Sequence, residues 1–289
     1  MNPILLAVAL ATAPLTPSIP APVIADPPAD SAHPAAMEAF VLPSHGSGMN
    51  AVMYLASGSE PHPTLLLLHG FPGNEQNLDL AQAARRAGWN VLTMHYRGSW
   101  GSHGAFSFLN AAEDAHVALA FLEDAKTVAR FHIDSSRIAV AGHSMGGYMA
   151  ADAAADDPRV VGLFLIDPWN IGADARALAT PQGQRAWHEE ASGDLSPLAG
   201  TSEQKLAAEM QAHAERFDLT KRTIAFGRRP VDIIGAERGG GAAQTVLLNA
   251  VRGAGNDKAT GGVWPTDHPF SDMRIGLEAE LVRWLSQFR

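Results

Sequence analysis

Apolar and polar positions alternate along the chain in blocks that are typical of buried strands followed by amphipathic helices. Residues 64–69 (TLLLLH) and 160–166 (VVGLFLI) are nearly continuous apolar runs, as expected of strands that are buried on both faces of a sheet. Residues 78–87 carry apolar side chains at helical spacing and end at Gly88, which is typical of a helix C-terminus.

The same reading, extended over the chain, predicts a regular succession of strands and helices. The predicted strands are 39–42, 51–56, 64–69, 90–96, 138–141, 160–166, 231–235 and 262–264, and the predicted helices are 78–87, 110–130, 147–155, 242–251 and 273–288. A polar, helix-prone insertion at about 169–229 interrupts the alternation. We therefore expect an α/β fold with a doubly wound, mostly parallel sheet and helices on both faces.

The N-terminal part of the chain differs from the rest. Residues 1–25 begin with an apolar, Ala/Leu-rich run and end in Val-Ile-Ala, which predicts an export signal, although the run contains no Lys or Arg. The alternative is a disordered or membrane-proximal tail; the run is too short and too broken by proline to predict a stable membrane span. We expect a Pro/Ala-rich linker at 26–37, a single domain at 38–289, and a periplasmic or secreted protein whose mature N-terminus lies near Asp26.

Composition and charge exclude several classes of function. The 289 residues include 18% charged residues and carry a formal net charge of -9, with acidic and basic residues interspersed, which argues against nucleic acid as a partner. The sequence has no cysteine, which excludes disulfides, thiolate metal sites and a cysteine nucleophile. No histidines are spaced as a pair on one helix face beside a carboxylate, and we therefore expect neither a metal site nor a cofactor.

The most informative stretch is Gly142-His143-Ser144-Met145-Gly146, which lies between a predicted strand and a small-residue helix. The pattern G-x-S-x-G in this context is typical of a sharp turn that exposes a nucleophilic serine at the start of a helix. An ordinary Gly/Ser turn is the alternative interpretation, and the strand and helix on either side favour the nucleophile.

Distinctive polar residues follow several of the predicted strands. They are His69-Gly70-Phe71, Tyr96-Arg97-Gly98, Ser144, Asp167, Glu237 and His268. Because the carboxyl ends of parallel strands lie along one edge of a sheet, we expect these residues to meet there and to form a site.

With these motifs, the chain from residue 40 onward resembles the serine α/β-hydrolases, and in particular their prolyl-oligopeptidase-like and dienelactone-hydrolase-like branch without a propeller. The resemblance rests on 69–73 (HGFPG), 96–99 (YRGS), 142–146 (GHSMG) and 266–270 (TDHPF). It implies that Ser144 is the nucleophile and His268 the general base, and that the backbone N–H groups of Phe71 and Met145 form the oxyanion hole.

The catalytic acid departs from the family pattern. The family usually carries an aspartate just after the strand predicted at 231–235, where this chain has Gly-Ala-Glu-Arg-Gly-Gly-Gly. We favour Glu237 as the acid because of its position and the glycines after it, and Asp167 is the alternative because Pro168 stiffens the chain beside it. Either carboxylate has the alternative interpretation of a loop residue paired with an arginine.

Two hypotheses about function follow. The first is a serine hydrolase that cleaves a small-molecule carboxylic ester, or less readily an amide or peptide, through an acyl-enzyme. Here the 169–229 insertion is a lid, and Trp169, Trp187 and Phe217 are candidates for a mostly apolar acyl pocket. The second is a non-catalytic binding protein of the same fold that has lost its acid. The sequence determines neither the substrate nor the oligomeric state.

Overall fold

A computed structural model of the protein describes residues 18–288. Its strands are β1 (Ala36–Ser44), β2 (Ser47–Leu55), β3 (His62–Leu68), β4 (Asn90–Met94), β5 (Ile133–His143), β6 (Val160–Ile166), β7 (Val231–Arg238) and β8 (Ala259–Asp267). Its α-helices are α1 (Ala21–Ile24), α2 (Leu78–Arg86), α3 (Phe108–Glu123), α4 (Ala125–Phe131), α5 (Met145–Asp156), α6 (Ile171–Ala177), α7 (Pro181–Ala191), α8 (Glu203–Ala212), α9 (Gly241–Gly253) and α10 (Arg274–Ser286), and a 3₁₀ helix spans Leu219–Phe226.

The strands form one sheet in the order β1-β2-β4-β3-β5-β6-β7-β8. The pairs β1–β2 and β2–β4 are antiparallel, and every later pair in the sheet is parallel. The predicted fold class, a mostly parallel sheet flanked by helices, is thereby confirmed. The carboxyl ends of β3, β5, β6, β7 and β8 lie at one edge of the sheet, where ligand sites form in open α/β folds.

The core lies on both faces of the central strands. Leu66, Leu68 and Val140 join one buried cluster, whereas Leu65 and Leu67, which alternate with them, join the opposite one. Side chains alternate across a strand with a period of two, so a strand buried on both faces must be apolar at every position. This is the physical reason for the continuous apolar runs in the sequence.

One predicted helix, 110–130, is wrong as a single element, since the structure has α3 and α4 in its place. Asp124 lies between them in an extended conformation, with φ −66° and ψ 133°. Its carboxylate accepts hydrogen bonds from the backbone N–H groups of Lys126 and Thr127, so it caps the N-terminus of α4. Aspartate at this position stabilises the start of a new helix, which here competes successfully with continuation of the old one.

Most of the predicted export signal lies outside the described residues, and this prediction stays a prediction. Of the residues near its end, Val23 of α1 packs against Ala83 and Val282, on α2 and α10. Strand β1 begins at Ala36, inside the predicted linker. No helix in the described part of the chain is long and apolar enough to cross a membrane.

Candidate active site

Ser144 lies at the apex of the turn between β5 and α5, as predicted. Its backbone has φ 56° and ψ −122°, a conformation that costs free energy for a residue with a side chain. A Cβ atom at Gly142 would lie 2.0 Å from the carbonyl oxygen of Gly146, and one at Gly146 would lie 2.2 Å from that of Leu68. The two glycines of the motif are therefore required by the close approach of the backbone.

His268 follows β8 directly, and its ring contacts Asp167, the residue that follows β6. The Nδ1 atom of His268 lies 2.6 Å from Oδ2 of Asp167. The carboxylate can only accept, so Nδ1 carries the proton and Nε2 is the ring nitrogen that is free to act as a base. The side chain of Asp167 is fully buried, whereas 42% of the His268 side chain is exposed.

Asp167 is held by two backbone donors in addition to His268. The Ala236 N–H donates to Oδ1 at 3.1 Å, and the Gly240 N–H donates to Oδ2 at 2.9 Å. Burial alone would raise the pKa of Asp167, but the hydrogen bonds from His268, Gly240 and Ala236 outweigh burial and lower it. The residue is therefore an anion at neutral pH. A Cβ atom at Gly239 would lie 2.3 Å from Oδ2, so this glycine allows the loop to approach the carboxylate.

The preference for Glu237 as the acid is wrong, because the carboxylate that contacts His268 is that of Asp167. Glu237 does not lie in a free loop: β7 extends through it to Arg238, and its side chain is exposed to solvent. The glycines after it, which suggested freedom to aim Glu237, instead let the loop approach Asp167, to which Gly240 donates its backbone N–H.

Ser144 and His268 line one cavity of about 430 Å³. Within the described residues, no hydrogen bond joins their side chains; such contacts are often long in unliganded sites and shorten when substrate binds. The backbone of the segment after β6 also anchors Ser144, since the Trp169 N–H donates to the Ser144 carbonyl at 2.9 Å. The cavity wall thus brings together the three side chains that a serine hydrolase uses.

Backbone donors are available beside the serine. Met145 is the first residue of α5 and directly follows Ser144, so its N–H has no acceptor within the helix. The loop after β3 lies against the serine on the other side, since a Cβ atom at Gly70 would lie 3.0 Å from Ser144 Cβ. Phe71, the second expected donor, follows in the same loop. Both predicted positions are compatible with an oxyanion hole.

His69, which was expected at this edge of the sheet, and His95, which the sequence analysis did not single out, pair beside this loop and support it. His69 Nδ1 lies 2.8 Å from the Gly70 carbonyl and must donate to it, so Nε2 accepts from His95 Nδ1 at 3.2 Å. Burial lowers the pKa of His69 to about 4, and burial also lowers the pKa of His95, so both rings are neutral near pH 7. The available signal for the pair was position, since each histidine directly follows one of two neighbouring strands, β3 and β4.

His143, which precedes Ser144, supports the loop that carries His268. Its Nε2–H donates to the His268 carbonyl at 2.9 Å, and the two ring centroids lie 4.5 Å apart. Burial, followed by the charge of His268, lowers the pKa of His143 to about 3. The His143 ring is therefore neutral, and its hydrogen bond holds the backbone of His268 in place.

The expected apolar pocket is only partly present. Trp169 lines the cavity, but Trp187 and Phe217 are buried in an aromatic cluster behind it, in contact with Phe108. This cluster reaches the loop after β3 through Phe71, whose ring lies 6.4 Å from that of Trp169. The insertion thus supports the loop with aromatic residues and presents a more polar wall to the cavity. In the described residues, no group of three or more His, Asp or Glu could hold a metal ion.

Comparison with known protein families identifies the fold from sequence as well. Residues 63–252, more than half of the chain, match the family described as the alpha/beta hydrolase fold. The chain belongs to the α/β-hydrolase family. The matched region runs from β3 to the end of α9 and contains Ser144 and Asp167. This membership supports a hydrolase.

Two curated relatives match shorter segments of this α/β-hydrolase. An uncharacterized 31.7 kDa protein of Escherichia coli, from the traX-finO intergenic region, is 32% identical over 115 residues, which is 39% of this chain and 40% of the relative. The cutinase est2 of Thermobifida alba is 37% identical over 73 residues, which is 25% of this chain and 23% of the cutinase. The matched segments thus span less than half of either relative.

Solved structures show the same fold over most of the chain. Est1E from Butyrivibrio proteoclasticus, solved with ferulic acid, has a TM-score of 0.67 at 15% identity and covers 86% of this chain and 98% of its own. An esterase from Pyrobaculum calidifontis has a TM-score of 0.63 at 18% identity and covers 89% of this chain and 87% of its own. At these identities the likeness concerns the fold alone.

Proposed function

We propose that this α/β-hydrolase cleaves carboxylic esters of small molecules through an acyl-enzyme on Ser144. The observation that carries the proposal is the 2.6 Å contact between His268 Nδ1 and Asp167, formed on the wall of the cavity that Ser144 lines. A buried carboxylate behind a histidine, next to a serine at a strand–helix apex, is the arrangement that activates a serine hydroxyl.

Each residue has one role in the proposed reaction. His268 Nε2 takes the proton of the Ser144 hydroxyl as Oγ attacks the ester carbonyl carbon, and Asp167 stabilises the resulting imidazolium. The N–H groups of Met145 and Phe71 bind the oxyanion of the tetrahedral intermediate. His268 then gives the proton to the departing alcohol oxygen as the C–O bond breaks. Water, deprotonated by the same ring, hydrolyses the acyl-enzyme and releases the acid and the free serine.

Ester cleavage is favoured over amide cleavage by the relatives. The cutinase est2 and the esterase from P. calidifontis are ester hydrolases by name, and Est1E binds ferulic acid. The competing hypothesis of a non-catalytic binding protein depended on a missing acid, and the contact between Asp167 and His268 argues against that hypothesis. We also propose that the 169–229 insertion acts as a lid, because Trp169 and α6 form one wall of the cavity.

Labelling with a fluorophosphonate probe, combined with hydrolysis of a p-nitrophenyl ester panel, tests the proposal. We expect the wild-type protein to be labelled and to turn over short-chain esters, and Ser144→Ala to lose both, with a fall in kcat on the order of 10⁴–10⁶. Ser192→Ala, which changes an exposed serine at the end of α7, is the matched control and should retain both. A Ser144→Ala protein that keeps more than a tenth of the wild-type turnover would refute the assignment.

A further inference from the structure

The wall that the insertion contributes to the Ser144 cavity carries two carboxylates, Asp174 on α6 and Glu190 on α7. Within the described part of the chain, neither carboxylate has a lysine, arginine or histidine within ion-pair distance. The described residues that line the cavity include no lysine or arginine, and the carboxylate of Asp167 is already bound to His268. The cavity therefore carries excess negative charge on the side of the insertion.

The two carboxylates interact with each other. Glu190 lines the cavity and is exposed to solvent on its outer side. Partial desolvation by the surrounding protein, followed by the negative charge of Asp174, raises the pKa of Glu190, and Asp194 acts in the same direction. The charge of His268 opposes this rise in the pKa of Glu190, but the His268 ring is already hydrogen-bonded to Asp167. Like charges that are held together without a counter-ion are relieved when a cation binds between them.

Two further groups lie at the same wall: the Trp169 ring favours a cation of any kind, and the Gln244 side chain favours a hydrogen-bond donor. Trp169, half-buried beside the cavity, donates its indole N–H to Asp174 Oδ2 at 2.5 Å, which holds the carboxylate and the aromatic ring together. Gln244 also lines the cavity and is only 3% exposed; its Nε2 donates to the Pro168 carbonyl at 3.0 Å, whereas its Oε1 is buried without a hydrogen-bond partner. An unpartnered buried acceptor is costly and calls for a donor.

We propose that the preferred substrate of the ester hydrolysis carries a cationic group, an ammonium or a guanidinium, which Asp174 and Glu190 bind beside the Trp169 ring. An N–H-bearing cation would in addition serve the Oε1 acceptor of Gln244, and an aromatic face beside two carboxylates attracts a weakly hydrated cation. Anionic substrates would be repelled by the same wall. The inference rests on the proposed function, because it identifies the substrate class of the Ser144 site.

The kinetic test compares two p-nitrophenyl esters of the same shape, the 4-(trimethylammonio)butanoate and its neutral isostere, the 5,5-dimethylhexanoate. We expect kcat/KM for the cationic ester to exceed that for the neutral one by about tenfold at low ionic strength. In the double variant Asp174→Asn, Glu190→Gln, the ratio should fall to near one; asparagine can still accept from the Trp169 indole. Glu189→Gln, an exposed neighbour on α7 that does not line the cavity, should keep the wild-type ratio.

A binding measurement separates the failure of this inference from the failure of the proposed function. Calorimetry on Ser144→Ala, which needs no catalysis, should give a Kd for ethyl 4-(trimethylammonio)butanoate about tenfold below that for ethyl 5,5-dimethylhexanoate. The double variant should remove this difference. Equal affinities for the two compounds, or a preference that the double variant retains, would overturn the inference even if the neutral ester is hydrolysed. Absence of both probe labelling and ester turnover would instead refute the proposed function, and the binding result would still decide the cation site.

Discussion

Replacing Asp167 with asparagine removes one charge while preserving the shape of the side chain. In the structure its two oxygens accept from three N–H groups: Oδ1 from Ala236, and Oδ2 from Gly240 and His268. An asparagine has one accepting oxygen and one donating amide. If its oxygen faces Ala236, the amide opposes both the Gly240 N–H and the histidine; if the oxygen faces the histidine, the amide opposes the Ala236 N–H.

Both orientations therefore carry a cost. A buried N–H that loses its acceptor costs about 1–3 kcal/mol, so we expect the free energy of unfolding to fall by about this amount. An amide N–H facing His268 would force Nδ1 to accept, which places the proton on Nε2, where the base must be free. With the imidazolium also unsupported, kcat should fall by a factor on the order of 10⁴.

The assay is ester hydrolysis at substrate saturation, with thermal or urea unfolding to show that the variant is folded. Glu237→Gln is the matched control, because it removes the exposed carboxylate that the sequence favoured, and it should change kcat less than about twofold. If Asp167→Asn retained a tenth of the wild-type kcat, or Glu237→Gln abolished activity, the reasoning about the acid would be refuted.

Two further predictions concern the support of the site. Gly239→Ala would place a Cβ atom 2.3 Å from Asp167 Oδ2, and we expect kcat to fall by about 100-fold or more because the carboxylate is displaced. Gly253→Ala is the control, since that position has open space around it, and kcat should stay unchanged. Equal rates for both variants would contradict the steric argument. The folded-state pKa values of His143 and His69, about 3 and about 4, lie below the ordinary histidine value of about 6.5. The unfolded chain therefore binds more protons than the folded chain between these values. For this reason the free energy of unfolding should fall as pH falls from about 7 toward 4. Urea unfolding should give a free energy of unfolding that is lower at pH 4.5 than at pH 7 by about 2–3 kcal/mol for each of the two histidines. In His143→Gln the decrease should be smaller by the contribution of one histidine. An equal decrease in the variant and the wild type would show that the His143 ring does not titrate on unfolding.

Some features could be predicted from the sequence because they depend on local pattern. The run before Ser144, the glycines on both sides and the small residues after it specify a strand, a sharp turn and a helix within about 20 residues. Apolar runs such as 64–69 predict a strand buried on both faces, which is also a local property. The break of the helix at Asp124 was missed because an aspartate can be a solvated helix residue or an N-cap, and its packing decides between them.

The choice of the acid could only be made in three dimensions. Glu237 and Asp167 follow different strands, and along the chain Glu237 is much nearer to His268. Strand β7 continues past Glu237 and leaves its side chain in solvent. Ala236 within β7 and Gly240 in the loop that follows instead donate their backbone N–H groups to Asp167. Sequence position indicates which strand ends share an edge of the sheet. Which side chain reaches the histidine depends on where each strand stops and how the next loop closes, and tertiary packing decides both.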